Sequence, residues 1–520
     1  MKNVKRIIAL LIAAAMVFAL AACGAEGNDK PTESKGNEAT QDGEGEATVP
    51  APEELDTSKQ VEVVMYFISN RPAGQDIVDE AINKYLLEKL NCTLSINWIN
   101  WSDYANTYNM LLSSGEEIDL IYTAGWLNFN DLAQRGAFKA LDELWPKYAP
   151  KNYAKATEQA KLQATVNGNI YCIPTLWATY IGQGPIWRTD IIAGSELEGI
   201  VLDSWDKIEQ YMEFCVAEHP EVSPLNIYNN GSPVDSMWAR SYGYKEFGPF
   251  LFDPTEENPK LFTYYEMESV NEFLEMMKRW NEKGFFSKSC LADTDSTKLD
   301  NGKAYITFHN VDSYQGQQTK YNTGTSEFQW QFYDIDKYSA HLPFTQDSIS
   351  VPAMSKNPER ALAVWDLLTS DQEAYDLFYY GIEGTTYKLL DGGVVEMLDP
   401  DLYGQSGCWP ARTTGLTRDS LGNPQEWHDW HAYWEEEIAK DDTWEKYSAI
   451  VVNTTGLDTE VSNINNVIQT YWWPLELGLN ANGIEGGLAE FKTQMEAAGI
   501  ETLREAYQAQ LDEYVASLNQ

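Results

Sequence analysis

Histidine is scarce. Five in 520 residues leave little general-base capacity near neutral pH, which argues against histidine-driven hydrolysis. Cations are also few, with 37 Lys and Arg against 79 Asp and Glu, and the net charge of −42 repels phosphate backbones and anionic headgroups. Nucleic acid is therefore excluded as a partner. The six cysteines contain no C-x-x-C pair, so neither a zinc site nor a disulfide framework is indicated. No G-x-G-x-x-G or G-x-x-x-x-G-K-[ST] string is present, and G-x-S-x-G and H-E-x-x-H are missing too. Nucleotide use and the common hydrolase signatures fall away, and no cofactor is expected. What is abundant is aromatic surface, with 18 Trp, 30 Tyr and 18 Phe in a composition 43% hydrophobic and 22% charged. That is globular, and the length points to two large lobes.

The N-terminus carries Lys2, Lys5 and Arg6, then an unbroken apolar run from Ile7 to Ala22 that ends in Leu20-Ala21-Ala22-Cys23-Gly24. Sixteen apolar residues are short for a membrane span, and small residues before Cys23 mark a processing point. This end resembles the bacterial lipobox. The resemblance implies removal of residues 1–22 as a signal peptide and diacylation (palmitate or similar) of the Cys23 thiol; an uncleaved signal anchor is the alternative. Removing residues 1–22 discards three cations and no acid and takes the net charge from −42 to −45. The remaining cysteines, Cys92, Cys172, Cys215, Cys290 and Cys408, suit buried thiols, with one oxidised pair as an alternative. Residues 23–57 are read as the lipidated cysteine and an acidic tether, since residues 24–57 hold ten acids, two lysines and almost no large aliphatic side chain.

From Val61 the string VEVVMYFI is strand-like, and Ile77, Val78, Ala81, Ile82, Tyr85, Leu86 and Leu90 follow at helical spacing. Leu94, Ile96 and Trp98 alternate as a strand, Ser102 is placed to cap a helix reaching Leu112, and Asp119-Leu-Ile-Tyr-Thr is a third strand. This β-α-β-α-β order predicts a mostly parallel sheet with its ligand crevice at the strands' carboxyl ends, hence at Asn70, Arg71, Trp101 and Trp126. Further on, Ser204 should cap a helix whose stripe is Trp205, Ile208, Tyr211, Met212 and Cys215. Helices are also expected over Val270–Trp280, Pro358–Leu368 and Leu503–Leu518, with strand character at Asn169–Pro174 and Gly302–Phe308.

Two weak metal signals have better explanations. His428 and His431 share a helix face with Trp427, Trp430 and Trp434, which are spaced as a packing stripe. Asp293, Asp295 and Asp300 resemble a fragment of a calcium loop, but the glycine and closing glutamate are not at loop spacing. Carboxylates are numerous enough for a glycosidase pair, yet nothing singles one out. Trp101, Trp126, Trp177, Trp238 and Trp409 stand in turn-like places. Flat rings suit sugar faces while Asp, Glu, Asn and Arg suit hydroxyls; core packing accounts equally well for any one ring.

Several ordered segments then resemble one family, the extracellular solute-binding proteins of bacterial ABC importers, which include maltose-binding protein. They are Asn109-Met-Leu-Leu-Ser-Ser-Gly-Glu-Glu-Ile-Asp-Leu-Ile121, Asn167-Gly-Asn-Ile-Tyr-Cys-Ile-Pro174, Trp187-Arg-Thr-Asp190, Ser204-Trp-Asp206, Asn301-Gly-Lys-Ala-Tyr305 and Asn357-Pro-Glu-Arg-Ala-Leu362. Tyr379-Tyr-Gly-Ile-Glu-Gly-Thr-Thr-Tyr387 and Tyr507-Gln-Ala-Gln-Leu-Asp-Glu-Tyr514 are similar to the subgroup with a C-terminal domain of unknown function. Cys172 and Trp187 depart from the residues common there.

The resemblance implies an α/β, two-lobed periplasmic-binding-protein-like fold with hinge crossings near Ile170–Pro174, Gly302–Phe308 and Ser348–Pro352, and a helical C-terminal region. Lobe 1 would comprise 58–183 and about 302–350, and lobe 2 about 184–301 and 351–520. Trp126 and Trp177 would face Trp238, Glu383, Tyr387 and Trp409 across the cleft. The function implied is extracytoplasmic capture of a small solute, an oligosaccharide by its aromatics, and delivery to ABC permease subunits by a monomer held to the membrane through lipid alone. No chemistry is expected. A surface glycoside hydrolase or polysaccharide lyase, and a sensory or adhesive lipoprotein, are the alternatives.

Overall fold

The structure is a computed structural model. It describes residues 55–518, apart from 101–103, 178–179, 229–231, 296, 320–326, 338–339, 342, 401, 405–407, 438–444, 448–449, 451 and 455. The signal segment, Cys23, Trp101 and the Ser102 cap lie outside the described residues.

The chain opens with β1 (Val61–Ile68), α1 (Gln75–Leu90), β2 (Cys92–Ile99), α2 (Tyr104–Ser114) and β3 (Leu120–Thr123), the alternation that the hydrophobic periods predict. Alternate residues Val63, Met65 and Phe67 of β1 are fully buried, as are Val78 and Leu86 on one face of α1. After a helical stretch come β4 (Ile173–Pro174) and a crossing strand, β5 (Tyr180–Ile181). The second lobe follows as β6 (Gln183–Arg188), α3 (Trp205–Glu218), α4 (Val234–Ser241), α5 (Val270–Glu282), β7 (Ile306–Asn310), α6 (Val311–Thr319) and β8 (Trp330–Phe332). The chain returns through β9 (Ala340–His341) to add β10 (Ser348–Ser350), α7 (Pro358–Leu368) and α8 (Gln372–Tyr379) to the first lobe. It closes with α9 (Gln425–Glu437), α10 (Asp458–Val467), α11 (Gly483–Ala498) and α12 (Ile500–Leu518).

The first sheet has the order β2-β1-β3-β10-β4. β1 is parallel to β2 and β3, whereas β10 runs antiparallel to β3 and β4. Asp119 fastens the start of β3 to its neighbours. It is fully buried and accepts hydrogen bonds from Val64 N (3.1 Å), Ser355 Oγ (2.7 Å) and Asn357 N (3.3 Å), which also anchors the entry to α7. The second sheet is antiparallel, in the order β7-β6-β8. Strand alternation splits its contacts: Trp187 packs with Ile306, Phe308 and the helices α3 and α5, while Ile186 packs with Trp330, Phe332 and Trp434 on the opposite face. Ser204 Oγ caps α3 by accepting from Lys207 N at 3.4 Å, and Ile208, Tyr211, Met212 and Cys215 form its buried stripe as expected.

Core packing and strand pairing correct the expected lobe boundaries. The described residues of 302–337 belong to the second lobe, because β7 pairs with β6 from Ile306↔Trp187 to Asn310↔Gln183. The described residues of 351–421 belong to the first, because Val351, Leu362, Val364, Trp365, Phe378 and Met397 share a core with β1, β2 and β3. Only the segment from α9 onward lies with the second lobe, where Leu503, Tyr507 and Leu511 of α12 join the core around α3 and α5. Gly302–Phe308 is accordingly no crossing. The crossings are the β5-β9 antiparallel pair and a third passage near Asn423. There Gln315 Nε2 on α6 donates to Asn423 Oδ1 at 2.6 Å while Asn423 Nδ2 donates to Asp419 at 2.6 Å. The tether is also shorter than expected, since Asn91 Nδ2 donates to Thr57 O at 2.9 Å and Arg360 binds the Asp56 carbonyl.

Trp365 on α7 is fully buried in the first core, so Trp365→Ala should cost about 3–5 kcal/mol by cavity formation. Hydrogen exchange would register faster exchange in β1, β2 and β3 and unchanged protection in β6 and β7; the reverse pattern would contradict the revised lobe boundary.

Candidate functional site

Register places one edge of the first sheet at the mouth between the lobes. β1, β2 and β3 end there, β10 begins there, and β4 leads to it through Ser348↔Pro174. Asn70 and Arg71 follow β1 and are exposed; Arg71 Nη2 lies 2.5 Å from Asp76 Oδ1. Trp126 follows β3 on the short turn Gly125–Leu127, half-buried, with its Nε1 donating to Gln346 O at 3.0 Å and its ring 5.8 Å from Tyr104. Half-buried Trp177 follows β4, and Trp409 begins the turn Trp409–Ala411. Backbone bonds stitch these turns together: Leu176 N to Arg412 O (3.2 Å), Thr414 N to Leu176 O (3.1 Å) and Thr175 N to Asp347 O (3.0 Å). Trp126, Trp177 and Trp409 therefore share one edge of one lobe.

The other candidates sit elsewhere. Trp238 is 3% exposed in the second core, its Nε1 donating to Ser269 Oγ at 2.9 Å and its ring 5.2 Å from Trp205. Tyr387 is buried in the first lobe against Tyr380, with ring centroids 5.7 Å apart. Glu383 is exposed on the adjoining turn, bridging to Tyr387. None of the three crosses from the second lobe to face Trp126. Trp238 fills core because α4 turns it inward, and Tyr387 because β-pairing with Met397 fixes its side.

What does cross is a charge relay that composition did not single out. Arg412 Nη2 lies 2.6 Å from Asp347 Oδ2 in its own lobe, and its Nη1 lies 3.8 Å from Asp312 Oδ2 on α6 of the other. Asp347 also accepts a short hydrogen bond from the Tyr122 hydroxyl. Asp312 Oδ1 accepts from Trp427 Nε1 at 3.0 Å and stands 3.3 Å from His431 Nε2. Burial by itself would raise the Asp312 pKa; the His431 hydrogen bond and the charges of His431 and Arg412 outweigh it and hold the carboxyl below its usual range. Burial opposes the Arg412 charge too, yet Asp347, Tyr379 and Asp312 raise its pKa. The one sequence signal for Arg412 is its place three residues after Trp409.

Trp434 is fully buried and Trp427 and Trp430 pack beside it, so the α9 stripe is packing as read, and its Trp427-His431 rung serves the relay. Trp434 Nε1 donates to Asp334 at 2.9 Å, and both crowd Gly182, where a Cβ would come within 2.2 Å of Asp334 Oδ2. Glycine is required at this crossing. Asp293 and Asp295 face Lys298 Nζ (3.0 Å) and Lys303 Nζ (3.2 Å), which supply the positive charge there. Among the described residues no group of three or more His, Cys, Asp or Glu is placed to hold a metal ion, and the five cysteines are buried and unpaired.

The bacterial extracellular solute-binding protein family model matches residues 70–375, more than half of the chain. The chain belongs to that family. A domain of unknown function, DUF3502, matches residues 447–516 and so covers α10 to α12. A carbohydrate ABC transporter substrate-binding protein of Streptococcus pneumoniae serotype 4 is 25% identical over 342 residues, 65% of this chain and 67% of the relative. The N-glycan transport solute binding protein NgtS of S. pneumoniae, solved with Man1GlcNAc, superposes with a TM-score of 0.73 at 20% identity over 88% of this chain and all of that one. The alginate-binding protein AlgQ2 superposes at 0.59 with 14% identity, over 88% and 99% of the two chains. These matches show the two-lobed fold, and the family places the protein outside the cytoplasm.

In this solute-binding protein a second acid-rich cluster adjoins the second-lobe edge. Arg240 Nη1 binds Asp336 Oδ2 at 3.1 Å and its Nη2 lies 3.6 Å from Glu246, which accepts from the Tyr264 hydroxyl at 2.5 Å. Asp235 Oδ2 accepts from Trp472 Nε1 at 3.0 Å. Burial pushes the Asp235 carboxyl up to about 6, with fully buried Glu476, raised further, beside it. A folded-state pKa above the unfolded one means that the native state binds the extra proton, so this group's contribution falls as pH rises from about 4 to about 6. Asp235→Asn keeps an acceptor for Trp472. Its melting temperature relative to wild type should rise across that interval and be level above it; a constant difference from pH 4 to 7 would contradict the assignment.

Proposed function

We propose that this protein is the lipid-anchored receptor of an ABC importer, capturing an oligosaccharide between its lobes and handing it unchanged to membrane permease subunits. The gathering of Trp126, Trp177 and Trp409 on one sheet edge, with Arg412 of the same segment reaching Asp312 of the other lobe at 3.8 Å, carries this reading. Half-buried indoles offer π-faces to pyranose C–H bonds, and the carboxylates and guanidinium offer planar partners to hydroxyls. Asn70 and Arg71 at the end of β1 extend the same edge, and Trp101 follows β2 in sequence. Capture by closure requires a ligand that binds the closed form better than the open one. Rings on one lobe and hydrogen-bonding groups on the other meet that requirement only when the lobes approach. The carbohydrate relative from S. pneumoniae supports the sugar assignment.

The Cys23 lipobox supplies the anchor in this reading, with the acidic tether holding the binding unit off the membrane. Mass spectrometry of the cell-derived chain should find Cys23 as the first residue, carrying a diacylglycerol; a chain starting at Met1 would rule out processing.

Calorimetry against an oligosaccharide panel tests the receptor itself. Trp126→Ala, Trp177→Ala and Trp409→Ala should each weaken sugar binding by about two- to tenfold, in line with about 0.5–1.5 kcal/mol for a lost ring contact. Trp238→Ala should lower the melting temperature and leave the affinity of the folded fraction unchanged. Bound sugar should be recovered intact; tight binding of only a non-sugar, or release of cleaved product, would overturn the proposal.

A further inference from the structure

We infer that the cleft selects uncharged oligosaccharides and rejects those bearing uronates, an inference that rests on the carbohydrate reading above. The fold does not decide this, since NgtS has been solved with Man5GlcNAc and a chain of the same architecture binds alginate. The charges at the mouth do.

Arginine is the side chain best suited to a sugar carboxylate, because its fork makes two parallel hydrogen bonds to it. Arg412 and Arg71 stand at the first-sheet edge described above and Arg240 lies on α4 beside Asp336, and each is already engaged. Arg412 is shared between Asp347 at 2.6 Å and Asp312 at 3.8 Å, two carboxylates for one guanidinium. Arg240 lies between Asp336 at 3.1 Å and Glu246 at 3.6 Å, and Arg71 pairs with Asp76 at 2.5 Å. A uronate brought against Arg412 would have to displace Asp347 or Asp312 or share the guanidinium with both. Either way one carboxylate loses its counter-charge in a partly desolvated site, and like charges a few ångströms apart repel.

The imidazole beside them is already engaged as well, since His431 Nε2 stands 3.3 Å from Asp312 Oδ1. The long-range field has the same sign, because the whole chain carries a net charge of −42. A neutral glycan meets none of these penalties. Its hydroxyls can donate to Asp312 and Asp347 while those residues keep Arg412, and its ring faces can lie on Trp126, Trp177 or Trp409.

The test is calorimetry on the full mature chain at physiological salt. Its panel holds neutral oligosaccharides of mannose, glucose, fructose and N-acetylhexosamine, with oligomannuronates and oligogalacturonates of matched length. At least one neutral member should bind, with every uronate at least 100-fold weaker. Asp312→Asn keeps an acceptor for Trp427 Nε1 and removes one of the two charges on Arg412. It should narrow the ratio between neutral and uronate affinities about tenfold, a readout that a general loss of binding would not produce; an unchanged ratio would overturn the inference. A wild-type uronate affinity equal to or above the neutral one would overturn the inference and leave the carbohydrate reading standing. Binding of neither class would overturn both.

Discussion

A shared guanidinium ties the two lobes of this protein together at the mouth. Arg412 belongs to the first lobe, where Asp347 holds it, and reaches Asp312 on the first turn of a second-lobe helix. Breaking a buried pair of this kind by removing one member typically costs about 3–5 kcal/mol, because the remaining charge is left without compensation. The energy that holds these groups is thus set by their mutual pairing, and the surroundings follow from it. Tyr122 turns its hydroxyl to Asp347, Trp427 and His431 turn their nitrogens to Asp312, and the backbone of Arg412 carries the segment that joins Leu176 and Trp409. The aromatic edge is shaped by the same contact that spans the mouth.

This arrangement explains why similar indoles have different roles. Trp126 and Trp177 follow the strands β3 and β4, Trp409 begins a short turn bonded to the same segment, and all three are half-buried. Trp238 and Trp434 lie on helices with an inward face and are enclosed. Each lobe thus has an enclosed interior, and the edge rings are covered only in part. The glycine at 182 lies in the passage between the lobes, where a Cβ would clash with Asp334 and Trp434.

Local pattern carried much of the fold. The alternation of β1, the helical spacing of α1, the Ser204 cap of α3 and the period of α7 all rest on neighbours within a few residues, so they are legible from side-chain type alone. Lobe membership was less legible. Pro358–Leu368 is helix as expected and the strand expected over Gly302–Phe308 begins only at Ile306, but which lobe each joins depends on pairing with β6 and on packing against β1, contacts separated by more than a hundred residues. The proposed site shows the same division. The α/β rule puts Trp126 at a strand end, where the structure has it, whereas Asp312, Asp347 and Arg412 are ordinary charged residues in a chain with 79 acids, and nothing local distinguishes them.

The amino-acid sequence by itself determined the class of the molecule: an exported, strongly acidic, aromatic-rich α/β chain without nucleotide or hydrolase motifs, in the family of extracellular solute-binding proteins. These properties sum over residues or repeat along the chain, so each can be read without knowing what lies across space. Tertiary structure alone decided which lobe owns each late segment, which tryptophans are core, and that one arginine is held by acids from both lobes. Those are facts about distance. Charge pairing and burial act over a few ångströms, and only the folded chain brings residues 312, 347 and 412 within that range.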